Sequence, residues 1–66
     1  MRTHRYRIII FGRLDPADIE EFASFDITPD GRATALASEM DQAALHGTLN
    51  RIRSLGLELV GVDRLG

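Results

Sequence analysis

Three groups of residues in this 66-residue chain have types and spacings that could do chemistry. His46, Asn50 and Arg53 stand at i, i+4 and i+7, so on a helix they share a face. An imidazole beside an amide and a guanidinium serves as a general base only where a pocket covers it, and a solvated helix face is the expectation here. His4 lies among Arg2, Arg5 and Arg7 and could meet phosphates or an acidic partner. Tyr6 is the only aromatic beside them, whereas RNA-binding sheets stack bases on paired aromatics, so nucleic acid is not an expected partner. Gly12-Arg13 follows an isoleucine-rich run, where a loop could hold a phosphate. The next residues, Leu14-Asp15-Pro16-Ala17-Asp18, bring no further glycine to cradle one and two carboxylates that repel one.

Composition narrows the field further. The chain contains no cysteine, which removes disulfides, thiolate zinc sites and a thiol nucleophile, and its two histidines are too few for a metal cluster. No catalytic residue, metal or cofactor is assigned. The formal charge is −2, from eight basic and ten acidic residues, so there is no general attraction to nucleic acid or anionic lipid. The apolar run Ile8 to Phe11 is too short for a signal or a membrane span, and a cytoplasmic location is expected. A domain this small buries only roughly 60% of the surface its unfolded chain exposes. Without disulfides or metal, self-association is the remaining supplement.

The elements that position these residues are written in capping signals. Residues 5–14 are β-branched and aromatic without helical period and read as a central strand. Asp15 caps a helix from Pro16 to about Phe22, with Leu14 stapling onto Ile19. A short strand over 25–28 leads into a turn at Pro29-Asp30-Gly31, and an alanine-rich third strand over 32–40 needs neighbours on both sides. Asp41 repeats the cap, with Met40 and Leu45 as its staple, for a second helix from Gln42 that ends at Gly56. A last strand covers 57–64. Gly47, inside the second helix, suggests a close backbone approach. The repeated strand–helix–strand unit predicts one α+β domain over 1–66: a ferredoxin-like βαββαβ fold, sheet order 4-1-3-2, with both helices on one face.

Strand parity then predicts a second surface. Leu14 and Met40 point toward the helices, so Ile8, Ile10, Gly12 and Leu36 face the core with Leu57 and Leu59. The opposite face receives Ile9, Phe11, Ala33, Ala35, Ala37, Val60 and Val62, rimmed by Arg7, Arg13, Glu58 and Arg64. An apolar centre on a face that normally alternates into polar residues is a contact surface, with Ile9, Phe11, Ala35, Val60 and Val62 as its interface residues. A bulge near Gly12 or Gly61 would shift this register. The last strand, long and apolar at a sheet edge, is the alternative contact.

The strand–loop–helix start with Asp15-Pro16-Ala17 resembles ACT-type regulatory domains, although alanine stands where that family usually has glycine. The resemblance implies a small-molecule effector held near the loop, with Arg13 and Asp15 as ligand-binding residues. Gly12-Arg13 also looks like the phosphate loop of acylphosphatases, but the chain has no asparagine on the second strand, since Asn50 is its only one. The stretch Asp41 to Val60 is similar to short high-GC bacterial proteins. The expected function is a non-enzymatic homo-oligomeric interaction or regulatory module with room for a small effector between subunits. The alternative is a small dimeric α+β-barrel enzyme acting on a polar small molecule through His46 or His4 with an arginine.

Overall fold

The computed structural model describes residues 2–66. The elements run β1 (His4–Phe11), α1 (Pro16–Glu21), β2 (Asp26–Asp30), β3 (Ala33–Met40), α2 (Gln42–Ser54) and β4 (Leu59–Arg64). Both helices begin by the same device. The Asp15 side chain accepts the Asp18 N–H at 2.9 Å, and the Asp41 side chain accepts the Ala44 N–H at 2.7 Å. At the far end of α2, Gly56 takes φ +74°. Its N–H donates to the Arg53 carbonyl at 3.0 Å and the Leu57 N–H donates to the Ile52 carbonyl at 3.1 Å, which is the bonding of a glycine-terminated helix. The starts are alike but the lengths are not: α1 has six residues and none of them is buried, whereas α2 has thirteen and buries Leu45, Thr48 and Ile52.

The sheet is antiparallel throughout, in the order β2-β3-β1-β4, which is the expected order read from the other edge. β1 and β3 pair in the register Ile8↔Leu36 and Ile10↔Thr34. The core gathers on the side to which Tyr6, Ile8, Ile10, Leu36 and Met40 point, closed by Phe22, Leu45 and Ile52. Phe22 packs edge-on against Phe25 at 5.6 Å between centroids. The Arg51 guanidinium lies 5.8 Å from the centre of the Phe22 ring and 3.8 Å from the Glu21 carboxylate, tying the end of α1 to α2.

Three local expectations are corrected. β1 stops at Phe11 instead of reaching residue 14, because Gly12 turns the chain at φ +83°. The Gly12 N–H then donates to the Arg32 carbonyl at 2.8 Å, and the Thr34 hydroxyl donates to the Gly12 carbonyl at 2.7 Å. Pro29 lies inside β2 instead of in the turn, which is the two-residue loop Gly31-Arg32 with Gly31 at φ +62°. The strand tolerates proline because β2 is an edge, and the position opposite Thr34 needs no N–H toward β3. The third correction is a bulge in β4: Ile9 faces Gly61 but Ile10 faces Leu59, leaving Val60 as the extra residue. Beyond it parity reverses, so Val62 lies opposite the buried Ile8 and Arg64 opposite Tyr6, both on the helix side and not on the open face.

Candidate functional site

The open face is built in rows. Phe11 lies beside Ala33, Ile9 lies between Ala35 and Gly61, and Arg7 lies between Ala37 and Asp63. β2 adds Asp30, Thr28 and Asp26 along the outer side of the same rows. One end is therefore polar. Arg5 pairs with Asp26, Arg7 donates to Asp63 at 3.1 Å, and the Thr3 hydroxyl donates to Glu39 at 2.8 Å. The other end is apolar, with Phe11 56% exposed; the bulged Val60, outside the paired register, is 59% exposed. Ile9 is half-buried. Ala35, expected at an interface, is only 5% exposed because Ile9 and Thr28 flank it, so a partner would find little of it to touch.

These ion pairs also decide the fate of the N-terminal cations. Arg5 and Arg7 are matched by carboxylates of their own sheet, so they do not form a free phosphate-binding cluster with Arg2. His4 stacks edge-on against Tyr6 at 6.2 Å, and its Nδ1 lies 3.1 Å from the Gly66 carbonyl oxygen.

Of the two expected ligand-binding residues, Arg13 lines a cavity of about 160 Å³ at the Phe11 end of the sheet, with Leu14, Ile19, Ile27, Pro29 and Thr34. Asp15 is outside that lining, and its carboxylate serves α1 as the cap. A second hollow of about 260 Å³ runs between α2 and β4, lined by Leu49, Asn50, Ile52, Arg53, Leu57 and Leu59. Asn50 and Arg53 thus border a groove, but His46 does not join them. Its Nε2 lies 3.2 Å from the Gln42 side-chain nitrogen one turn earlier, on the exposed surface. The groove was not anticipated, although the spacing of Leu49, Ile52 and Leu57 around Gly56 carried its signal.

A side chain added at Gly47 would meet nothing within 4 Å, so no close approach within the chain accounts for this glycine. Among the described residues no helix is long and apolar enough to cross a membrane.

The sequence matches, over residues 5–63, the family described as a domain of unknown function (DUF8691). The chain belongs to this family. No curated protein and no solved structure matches it. Membership covers β1 to β4 almost end to end, so the sheet, its bulged edge strand and both helices lie within the family's span, as do the Arg13 cavity and the groove along β4.

Proposed function

We propose that this chain is a ferredoxin-like, non-enzymatic interaction module that assembles with a copy of itself through the open face of its sheet. The observation that carries the reading is Phe11. A large aromatic side chain stands more than half exposed on the central strand β1, beside Ala33, where a solvated antiparallel sheet would carry polar residues. The ion-paired end of the same face frames the contact and gives it an orientation. Its partner in this reading is the same surface on a second copy, because a twofold axis lets one patch serve both sides.

The Arg13 cavity lies behind the Phe11 end of the sheet, on the helix side between α1 and β2, and stays open when a copy covers the open face. A small effector with an acidic group fits this place, its apolar part against Leu14 and Ile27 and its charge at Arg13. The resemblance to ACT-type domains supports a regulatory role for such a site.

The test is sedimentation equilibrium of Phe11→Glu beside the parent. A charge forced into an apolar contact costs several kcal/mol, on the order of 3–5 when left unpaired, so the variant is expected to be monomeric where the parent is associated. Its thermal midpoint should lie below the parent's and stay the same on dilution, whereas the associated parent's should fall as it is diluted. A variant that sediments and melts like the parent removes Phe11 from any interface.

A further inference from the structure

The outer edge of β4 is open, and its backbone shows which groups are unsatisfied. The Leu65 N–H donates to the Arg5 carbonyl at 2.7 Å and the Phe11 N–H donates to the Glu58 carbonyl at 2.9 Å, so odd-numbered residues of β1 bond toward β4. In an antiparallel ladder the bonding then falls on Arg7 with Asp63 and Ile9 with Gly61, while the N–H and C=O of Val62 and Arg64 point away from the sheet. Apolar side chains gather at the same place. Of the seven large apolar residues exposed among the described residues, four belong to this short stretch: Leu59 at 44%, Val60 at 59%, Val62 at 38% and Leu65 at 49%.

We infer that β4 pairs antiparallel with β4 of a second copy about a twofold axis at Val62, joining two four-stranded sheets into one. The charges select this register. With Val62 on the axis, Asp63 faces the partner's Gly61 and Arg64 faces the partner's Val60, so no like charges are opposed. Centring on Asp63 or on Arg64 would set each against its own copy. The Val62 register also places the outward N–H and C=O of both central residues in one hydrogen-bonded pair.

The other edge explains why the occupant is a second copy and why the assembly closes. β2 carries Pro29, which has no N–H to offer, between Asp26 and Asp30. An isologous contact consumes both β4 edges and leaves the guarded β2 edges outermost, so the sheet ends at eight strands instead of growing into a fibre. This inference rests on the self-association proposed above but uses a different surface from Phe11.

The experiment uses Val62→Lys and Val62→Glu, sedimented separately and as an equimolar mixture, with folding of each checked by far-ultraviolet circular dichroism. Each variant alone sets like charges on the axis and should weaken association roughly tenfold or more. The mixture sets lysine against glutamate and should recover it. If either variant alone associates like the parent, or if folded variants fail to recover on mixing, the β4 pairing is wrong. Hydrogen exchange on the parent gives a second reading that no misfolded variant can spoil. The Val62 and Arg64 amides should exchange more slowly as concentration rises, and fast exchange independent of concentration overturns the inference. Loss of association in Phe11→Glu with none in the Val62 variants leaves the open-face reading standing and this one refuted; a parent that stays monomeric refutes both.

Discussion

The two edges of this sheet face water with the same backbone groups and are built in opposite ways. β2 is five residues long, holds Pro29 as its fourth residue and places Asp26 and Asp30 on the open face. β4 is bulged, holds Leu59, Val60 and Val62 with no proline, and is continued in its bonding to β1 by Glu58 at one end and Leu65 at the other. The first edge is closed to strand addition by a missing donor and by charge; the second is held open. The contrast teaches that edge protection is distributed unevenly within one domain, and the β4 pairing inferred above would use the unguarded edge and leave the guarded one outermost.

The strongest way to break the comparison is to remove the guard on β2. Pro29→Val with Asp26→Val restores a donor and removes a charge, so the sheet gains a second adhesive edge. Association should then become open-ended, with the average mass from light scattering climbing steadily with concentration where the parent's levels off. A mass that levels off as the parent's does would show that Pro29 and Asp26 guard nothing.

A middle-sized effect separates the helices behind the two edges. Asp41→Ala removes the cap of α2, whose Leu49 and Ile52 line the groove beside β4, and should cost about 1 kcal/mol of stability. For a domain of this size that lowers the thermal midpoint by roughly 4–8 °C. Asp15→Ala removes the cap of α1, which buries no side chain, and should cost less. Equal losses would mean that the two helices are equally anchored.

Gly47→Ala sharpens the comparison from the other direction. Nothing within the chain occupies the space a methyl group would need, so alanine should raise stability by up to about 1 kcal/mol through helix propensity alone. Association should be unchanged if partners meet at β4 or at Phe11, and a weaker assembly in this variant would move the contact onto α2.

The smallest effects are expected from the ion pairs that tie β1 to its flanking regions of the sheet. Arg5→Ala loses the pair with Asp26 and Arg7→Ala loses the pair with Asp63. Both pairs are well exposed, so each should contribute between about 0 and 1 kcal/mol and fade as salt is added. Chemical denaturation at low and high salt measures both.

Much of the framework was legible along the chain because it rests on contacts between near neighbours. Asp15 and Asp41 cap their helices through N–H groups three residues away, and Gly56 ends α2 through bonds spanning a single turn. The alternation of β1 between buried Ile8 and Ile10 and outward Ile9 and Phe11 follows from strand geometry once Met40 and Leu14 are placed. What only the tertiary structure decided depends on partners far apart in sequence. Val62 faces the helix side because the pairing of β4 with β1 slips at Val60; Gly61 beside it marks a place where a bulge can form, but only the pairing with β1 decides that it does. Pro29 belongs to a strand because β3 lies on one side of it and water on the other. Arg5 and Arg7 are spent on Asp26 and Asp63 because the sheet brings those carboxylates to them, whereas Arg13 beyond the turn at Gly12 keeps its place at a cavity. Local chemistry set where both helices start and where α2 stops, and the meeting of distant strands set how far β2 runs and which side chains the strands show to a partner.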